Sequence, residues 1–179
     1  MALLTDEQIK GRKPVQIAFM VDDLERAALH WAETHGAGPF FIAKSAGVED
    51  VRGADGSPAV YEHGIALGQW GSQMVELVQL YRVEPAPVAE IMDVSGFSHI
   101  AYFTEDSEAE AARLEAAGAP LLLSMNFGET RIRFHDARST TGFIVEHYEC
   151  MGAVEAAYRS VAEAAEGWDG SDPLRVLGG

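Results

Sequence analysis

Gln16-Ile17-Ala18-Phe19-Met20-Val21-Asp22-Asp23-Leu24-Glu25 and His99-Ile100-Ala101-Tyr102-Phe103-Thr104-Glu105-Asp106-Ser107-Glu108 are two versions of one pattern. Ile, Ala, Asp and Glu coincide in order, Phe19 meets Tyr102, and Asp22 meets Glu105. In each copy an apolar strand runs into an acidic turn that can cap a helix start. A helical stretch follows both times, Asp23 to His35 closed by Gly36 and Ser107 to Ala117 closed by Gly118. Each glycine suits the left-handed residue that ends a helix. Self-similarity at such a separation marks two copies of one structural unit.

Outward from the pair, strand-like segments follow each helix. In the first half they are Pro39 to Ala43, Ala59 to Leu67 and Ser72 to Leu80, with Gly/Asp-rich turns at Gly53–Ser57 and Gly68–Gly71. In the second they are Pro120 to Ser124, Glu129 to His135 and Gly142 to Tyr148. Alternation and turn residues carry these assignments. Each half therefore reads strand, helix, then three strands, an α+β chain. The first module spans 14–82 and the second 96–150, and Glu84-Pro85-Ala86-Pro87 begins the linker between them. Residues 151–179 hold a C-terminal helix over Val154 to Glu166, with apolar residues at helical spacing, and a loose tail from Gly167.

Strand alternation selects the candidate chemistry. Val15, Ile17, Phe19 and Val21 share the face that meets the helix, leaving Gln16 on the other with Ala18 and Met20. His99 takes the equivalent place in the second copy. Glu76 sits mid-strand in Gln73-Met74-Val75-Glu76-Leu77-Val78, and Glu146 likewise in Phe143-Ile144-Val145-Glu146-His147-Tyr148. A carboxylate inside an apolar strand costs several kcal/mol unless paired or metal-bound. The separations are 60 residues from Gln16 to Glu76 and 47 from His99 to Glu146. The excess falls around Gly47–Ser57, where an insertion is tolerated. One N/O donor and one carboxylate per half make a mixed four-ligand site suited to Zn, Ni, Co, Mn or Fe.

From Pro14 to Cys150 the order and placement resemble the glyoxalase/bleomycin-resistance/dioxygenase superfamily, also called vicinal oxygen chelate. The run Asp136-Ala137-Arg138-Ser139-Thr140-Thr141-Gly142-Phe143-Ile144-Val145-Glu146 is similar to the last hairpin of glyoxalase-like members. The resemblance implies two βαβββ modules forming a cupped mixed sheet around a divalent metal, with Zn first among the ions above. It implies Gln16, Glu76, His99 and Glu146 as ligands, matching one class of glyoxalase I, with Glu146 and Glu76 as candidate bases. Methylmalonyl-CoA epimerases resemble the set too, differing in which strand carries the glutamine. The implied activity is a lyase or isomerase that abstracts a proton next to a carbonyl. Its partner would be a small carbonyl substrate, a thioester or thiol adduct among them, and the modules pair within a chain or between chains, which admits a homodimer. The alternatives are an extradiol-type dioxygenase, which wants a second histidine where Gln16 stands, and a non-catalytic small-molecule-binding protein of the same fold.

Composition narrows the rest. A formal charge of −15, from 28 acidic and 13 basic side chains, repels phosphate backbones and anionic lipid and serves solubility. No apolar run approaches the roughly 18 residues that span a bilayer, and Met1 to Lys13 lacks the features of a signal peptide, so the cytoplasm is expected. The single Cys150 cannot form an internal disulfide and is read as structural. Lys44, Arg52, Arg131 and Arg133 are candidate basic residues for the cup's mouth, and Phe40, Phe41, Trp70 and Phe127 for its walls or for the core. His63, His135 and His147 have no assignable partner, and His147 should point away from Glu146.

Overall fold

The computed structural model describes residues 12–149 and 152–176; Cys150 lies outside them. The first module comprises β1 (Gln16–Met20), α1 (Leu24–His35), β2 (Phe40–Ala43), β3 (Glu49–Gly53), β4 (Val60–Trp70) and β5 (Gln73–Glu84). A short helix, α2 (Ala86–Met92), links it to β6 (Gly96–Thr104), α3 (Ser107–Ala116), β7 (Leu121–Phe127), β8 (Thr130–Asp136) and β9 (Ile144–Glu149). α4 (Ala153–Ala165) and β10 (Leu174–Val176) are the last elements among the described residues. Among the described residues, no helix is long and apolar enough to cross a membrane.

The helices start and stop for local reasons. The Asp23 carboxylate accepts from the Arg26 amide at 2.9 Å, and the Asp106 carboxylate from the Ala109 amide at the same distance. Each cap satisfies a first-turn N–H that has no partner within the helix. Gly36 ends α1 in the left-handed region at φ 65°.

The ten strands of the described residues form one mixed sheet in the order β10-β2-β4-β5-β1-β6-β9-β8-β7-β3. Its centre carries the two-fold relation of the repeat. β1 and β6 run antiparallel with Gln16 opposite Ala101 and Ala18 opposite His99. Exchanging the copies maps one pair onto the other. β5 lies parallel to β1 with Glu76 beside Ala18, and β9 parallel to β6 with Glu146 beside Ala101. Paired residues on neighbouring strands share a face, so Gln16, Glu76, His99 and Glu146 all project from the centre of one side.

The inner face carries the larger core, including Met74, Phe103, Leu123 and Ile144, with Tyr158 and Val161 of α4 packed onto it. The outer face carries α1 and α3. Beneath α1, Leu24, Ala28, Phe40, Val75 and Leu77 form a purely apolar cluster, each large side chain contributing about 1.5–3 kcal/mol by burial. Phe40 lies so close to Gly68 that a Cβ there would meet the ring at 2.6 Å, so β4 needs glycine at that crossing.

Three elements depart from the sequence reading. The expected insertion around Gly47–Ser57 includes β3, which pairs with β7 at the far edge of the second module. The linker contains α2, and the expected loose tail supplies β10, which pairs in parallel with β2. Both outer edges of the two modules thus gain a short strand, which covers the unpaired groups an edge exposes.

Candidate metal centre

β1, β5, β6 and β9 deliver the four residues to one buried point. Gln16 and His99 are each 1% exposed, Glu146 4% and Glu76 8%. His99 Nε2 lies 3.1 Å from Glu146 Oε2 and 3.3 Å from Glu76 Oε2, and the donor atoms of these three residues fall within 4.8 Å of one another. The Gln16 amide donates to Glu76 Oε2 at 2.7 Å. All four residues singled out in the sequence are therefore brought together.

A bulge helps aim the histidine. The pairing of β1 with β6 skips Ser98, which stands between His99 opposite Ala18 and Phe97 opposite Phe19. The buried Ser98 Oγ lies 3.1 Å from His99 Nδ1, the kind of partner that fixes a ring's orientation and tautomer. Nε2 then faces the two carboxylates, yet no hydrogen bond of good geometry satisfies it. Burial pushes the imidazole's pKa down, but Glu146 and then Glu76 outweigh it and raise the value to about 9. Without a bound cation, a proton is the positive charge this cluster can recruit.

Two tyrosines surround the carboxylates. Tyr148 of β9 donates to Glu146 Oε2 at 2.7 Å. Tyr158 of α4 donates to Gln16 Oε1 and lies 3.4 Å from the Tyr148 hydroxyl. Burial, with the charges of Glu146 and Glu76 adding to it, raises both phenols well above their ordinary values, so both keep their protons. The sequence reading missed both residues. Tyr148 was detectable as the next inward position after Glu146, whereas nothing in the local pattern of α4 announces Tyr158.

A cavity of about 370 Å³ opens onto this cluster. Gln16, Glu76, Glu146, Tyr148 and Tyr158 border it, and Leu67, Ile65, Phe134, Ile132, Met125 and Phe127 wall it. Of the four aromatics considered as walls, Phe127 lines the cavity; Phe40 belongs to the outer core, Phe41 packs at the rim of the inner core, and Trp70 is 44% exposed beside Trp31. His63 lines the cavity, its ring tilted against Tyr61 with centroids 4.0 Å apart. Burial lowers its pKa and keeps it neutral at pH 7. His147 projects to the outer face, where its Nε2 meets His135 Nε2 at 3.3 Å.

The basic residues assigned to the mouth are elsewhere. Lys44 lies 3.8 Å from Glu25, Arg52 binds Asp50, Arg131 lies near Glu108 and Glu149, and Arg133 binds Ser107 and Glu108. None borders the cavity. Local carboxylates hold the three arginines, whereas Lys44 is exposed and stands in sequence between the lining residues Ala43 and Ser45.

No curated protein sequence matches the chain significantly. Among solved structures, a hypothetical protein from Bacillus halodurans superposes with a TM-score of 0.53 at 18% identity, covering 79% of this chain and 96% of its own. Methylmalonyl-CoA epimerase from Mycobacterium tuberculosis does so with a TM-score of 0.53 at 19% identity, covering 86% and 97%. At such identities these likenesses show a shared fold. The sequence profile of the glyoxalase/bleomycin resistance protein/dioxygenase superfamily matches residues 15–135, a span that includes Gln16, Glu76 and His99 but stops short of Glu146 and α4. The chain belongs to the glyoxalase/bleomycin resistance protein/dioxygenase superfamily.

Proposed function

We propose that this protein is a divalent-metal-dependent lyase or isomerase that removes a proton next to a carbonyl, of the glyoxalase I-like or epimerase-like kind. One observation carries the reading: the buried, unsatisfied His99 Nε2 converges with oxygens of Glu76 and Glu146. An imidazole nitrogen and two carboxylates are a donor set for Zn, and equally for Ni, Co, Mn or Fe. Gln16 is the proposed fourth ligand through Oε1. Its amide must then turn over, and the Tyr158 hydroxyl can accept from the amide NH₂ in place of donating.

A divalent cation there would supply Lewis acidity, polarising a substrate carbonyl and acidifying the neighbouring C–H. The chain's own groups do the rest. Glu146 is the proposed base, taking the proton on a carboxylate oxygen, with Glu76 available from across the site for a second transfer. Tyr148 keeps its O–H directed at Glu146 Oε2 and so holds that carboxylate in place. The apolar walls exclude water, which strengthens every charge interaction at the reacting carbon. Modules 14–82 and 96–150 are the two halves of this proposed enzyme. Cytoplasmic residence and homodimer assembly belong to the same proposal and are read by fractionation and solution mass.

Elemental analysis of protein purified without chelator tests the metal; about one transition-metal ion per chain is expected, falling to near zero in His99→Ala. With a substrate found by screening carbonyl compounds, deuterium from solvent should enter the α-position. Metal content near zero, unrecovered on adding Zn, Ni, Co or Mn, would overturn the reading. Oxygen consumption without α-exchange would instead indicate a dioxygenase, against which the single histidine and paired carboxylates argue.

A further inference from the structure

The cavity's charge distribution says what kind of molecule it can hold. Its carboxylates are gathered at the end where Gln16, Glu76 and Glu146 stand, with the neutral Ser45 and His63 also on the lining, and the register gives the direction away from them. Glu76 pairs with Leu67 and Glu146 with Phe134. Stepping outward on the same face leads to Ile65 on β4, Ile132 on β8, and then Met125 and Phe127 on β7. The body of the cavity is therefore aliphatic and aromatic.

No lysine or arginine among the described residues borders it, and the neutral His63 adds no charge. Two carboxylates and a bound divalent cation would cancel, so away from the metal nothing on the lining pairs with an anionic group on the ligand. An unpaired charge taken from water into such walls is disfavoured, and the chain's net charge of −15 adds long-range repulsion. Size is limited as well. α4 lies over the inner face with Val154, Ala157 and Tyr158 against the cavity. The volume of about 370 Å³ is near the small end of the roughly 300–1,000 Å³ of small-molecule pockets.

We propose that the substrate is a compact, uncharged carbonyl compound with an apolar body, in place of an anionic thiol adduct or a nucleotide-bearing thioester. The carbonyl headgroup rests on the function proposed above; the uncharged apolar body rests on the cavity walls alone. The test uses a matched probe pair on the metal-free Glu76→Gln, Glu146→Gln variant, whose cluster carries no carboxylate, so that its outcome depends on the cavity walls and not on metal, turnover or repulsion from the cluster. N-phenyl-1-naphthylamine and its sulfonated analogue 8-anilinonaphthalene-1-sulfonate share one ring system and differ by one sulfonate group, whose charge the lysine variant below separates from its bulk. Fluorescence titration is done at about 0.5 M salt, where a Debye length of only a few Å screens the overall charge. The neutral probe should bind at least about tenfold more tightly, because only the sulfonate must bury an unpaired charge. Ala157→Trp, which fills the cavity from α4, should abolish that binding. Val48→Lys, which places an ammonium on the cavity's partly exposed edge, should tighten the sulfonate and narrow the gap. Equal affinities, tighter binding of the sulfonate, no binding of the neutral probe, or binding untouched by Ala157→Trp would each overturn the proposal. Metal content, measured separately, reports on the proposed function and not on this one.

Discussion

On the outer face of the second module, Glu110 of α3 is ringed by the Tyr102 hydroxyl at 2.5 Å, Arg113 at 2.6 Å and Arg12 at 2.7 Å. Through the sheet, Glu76 and Glu146 share one imidazole. Both places bury carboxylates, Glu110 being 2% exposed. Burial pushes the Glu110 carboxyl up, but Arg113, Tyr102 and Arg12 prevail and bring it down to about 2. Its charge is balanced from within the fold. The inner cluster has two carboxylates and at most one positive charge, so its balance must come from outside. Two buried acid sites of similar appearance thus differ by their partners. The outer one is fitted to stabilise the fold; the inner one has the donor set that the proposed cation needs.

The widest separation between the two faces should appear in turnover. Glu146→Gln keeps an oxygen donor and removes the basicity, so the metal should largely remain while turnover falls about 10²–10⁴-fold. Single-turnover kinetics with the screened substrate would measure it. An unchanged rate would place the base elsewhere. Glu110→Ala should do the reverse, leaving metal content and turnover intact while lowering stability by about 2–3 kcal/mol in urea titration. That lies below the roughly 3–5 kcal/mol for fully buried pairs, because Arg12 and Arg113 are half exposed and can turn to water.

Acid should sharpen the contrast further. Burial first, then His135 and Arg133, push His147 down from 6.5 to about 3. Burial likewise lowers His135. Below pH 6.5 the unfolded chain takes up protons that these native histidines refuse, so stability falls as pH drops from 6.5 toward 3. Glu110 contributes stability that is complete above 4.5 and is lost as pH falls through about 2. Each group adds a slope of up to about 1.4 kcal/mol per pH unit. Thermal unfolding against pH should lose His147's share of the upper decline in His147→Gln, with that of His135 remaining, and the lower part in Glu110→Gln. A profile identical in all three proteins would remove the outer network from the stability argument. The smallest effect expected is at Tyr158. Tyr158→Phe removes only the partner of the proposed ligand Gln16, and should weaken metal binding about tenfold, at the low end of the 10–100-fold typical of such partners, as read by competition with a chromophoric chelator.

The sequence was most informative where local rules act. The capping aspartates Asp23 and Asp106 and the left-handed Gly36 bound α1 and the start of α3 because helix ends depend on nearby groups. The four central residues were legible for a related reason. Alternation assigns each side chain a face, and the repeat assigns each strand a place, so Gln16 could be set beside His99 and Glu76 beside Glu146 before any distance was known. β3 and β10 were not legible. Glu49–Gly53 is mostly polar and Leu174–Val176 has only three residues, and they become strands only because β7 and β2 present open edges to them.

What the amino-acid order determined by itself is the repeated strand–helix unit, the face on which each candidate ligand stands, and the presence of mid-strand carboxylates that require a partner. What only the tertiary structure decided is which partners they have. Arg131 and Arg133, available in sequence for the cavity, are engaged by Glu108 on the other side of the sheet. Tyr158, 142 residues away from Gln16, reaches its amide because α4 folds back over the inner face. Alternation is a property of one strand's backbone and is written into neighbouring residues. Pairing across a sheet or beneath a helix depends on distances that chain closure sets, and no local window contains them.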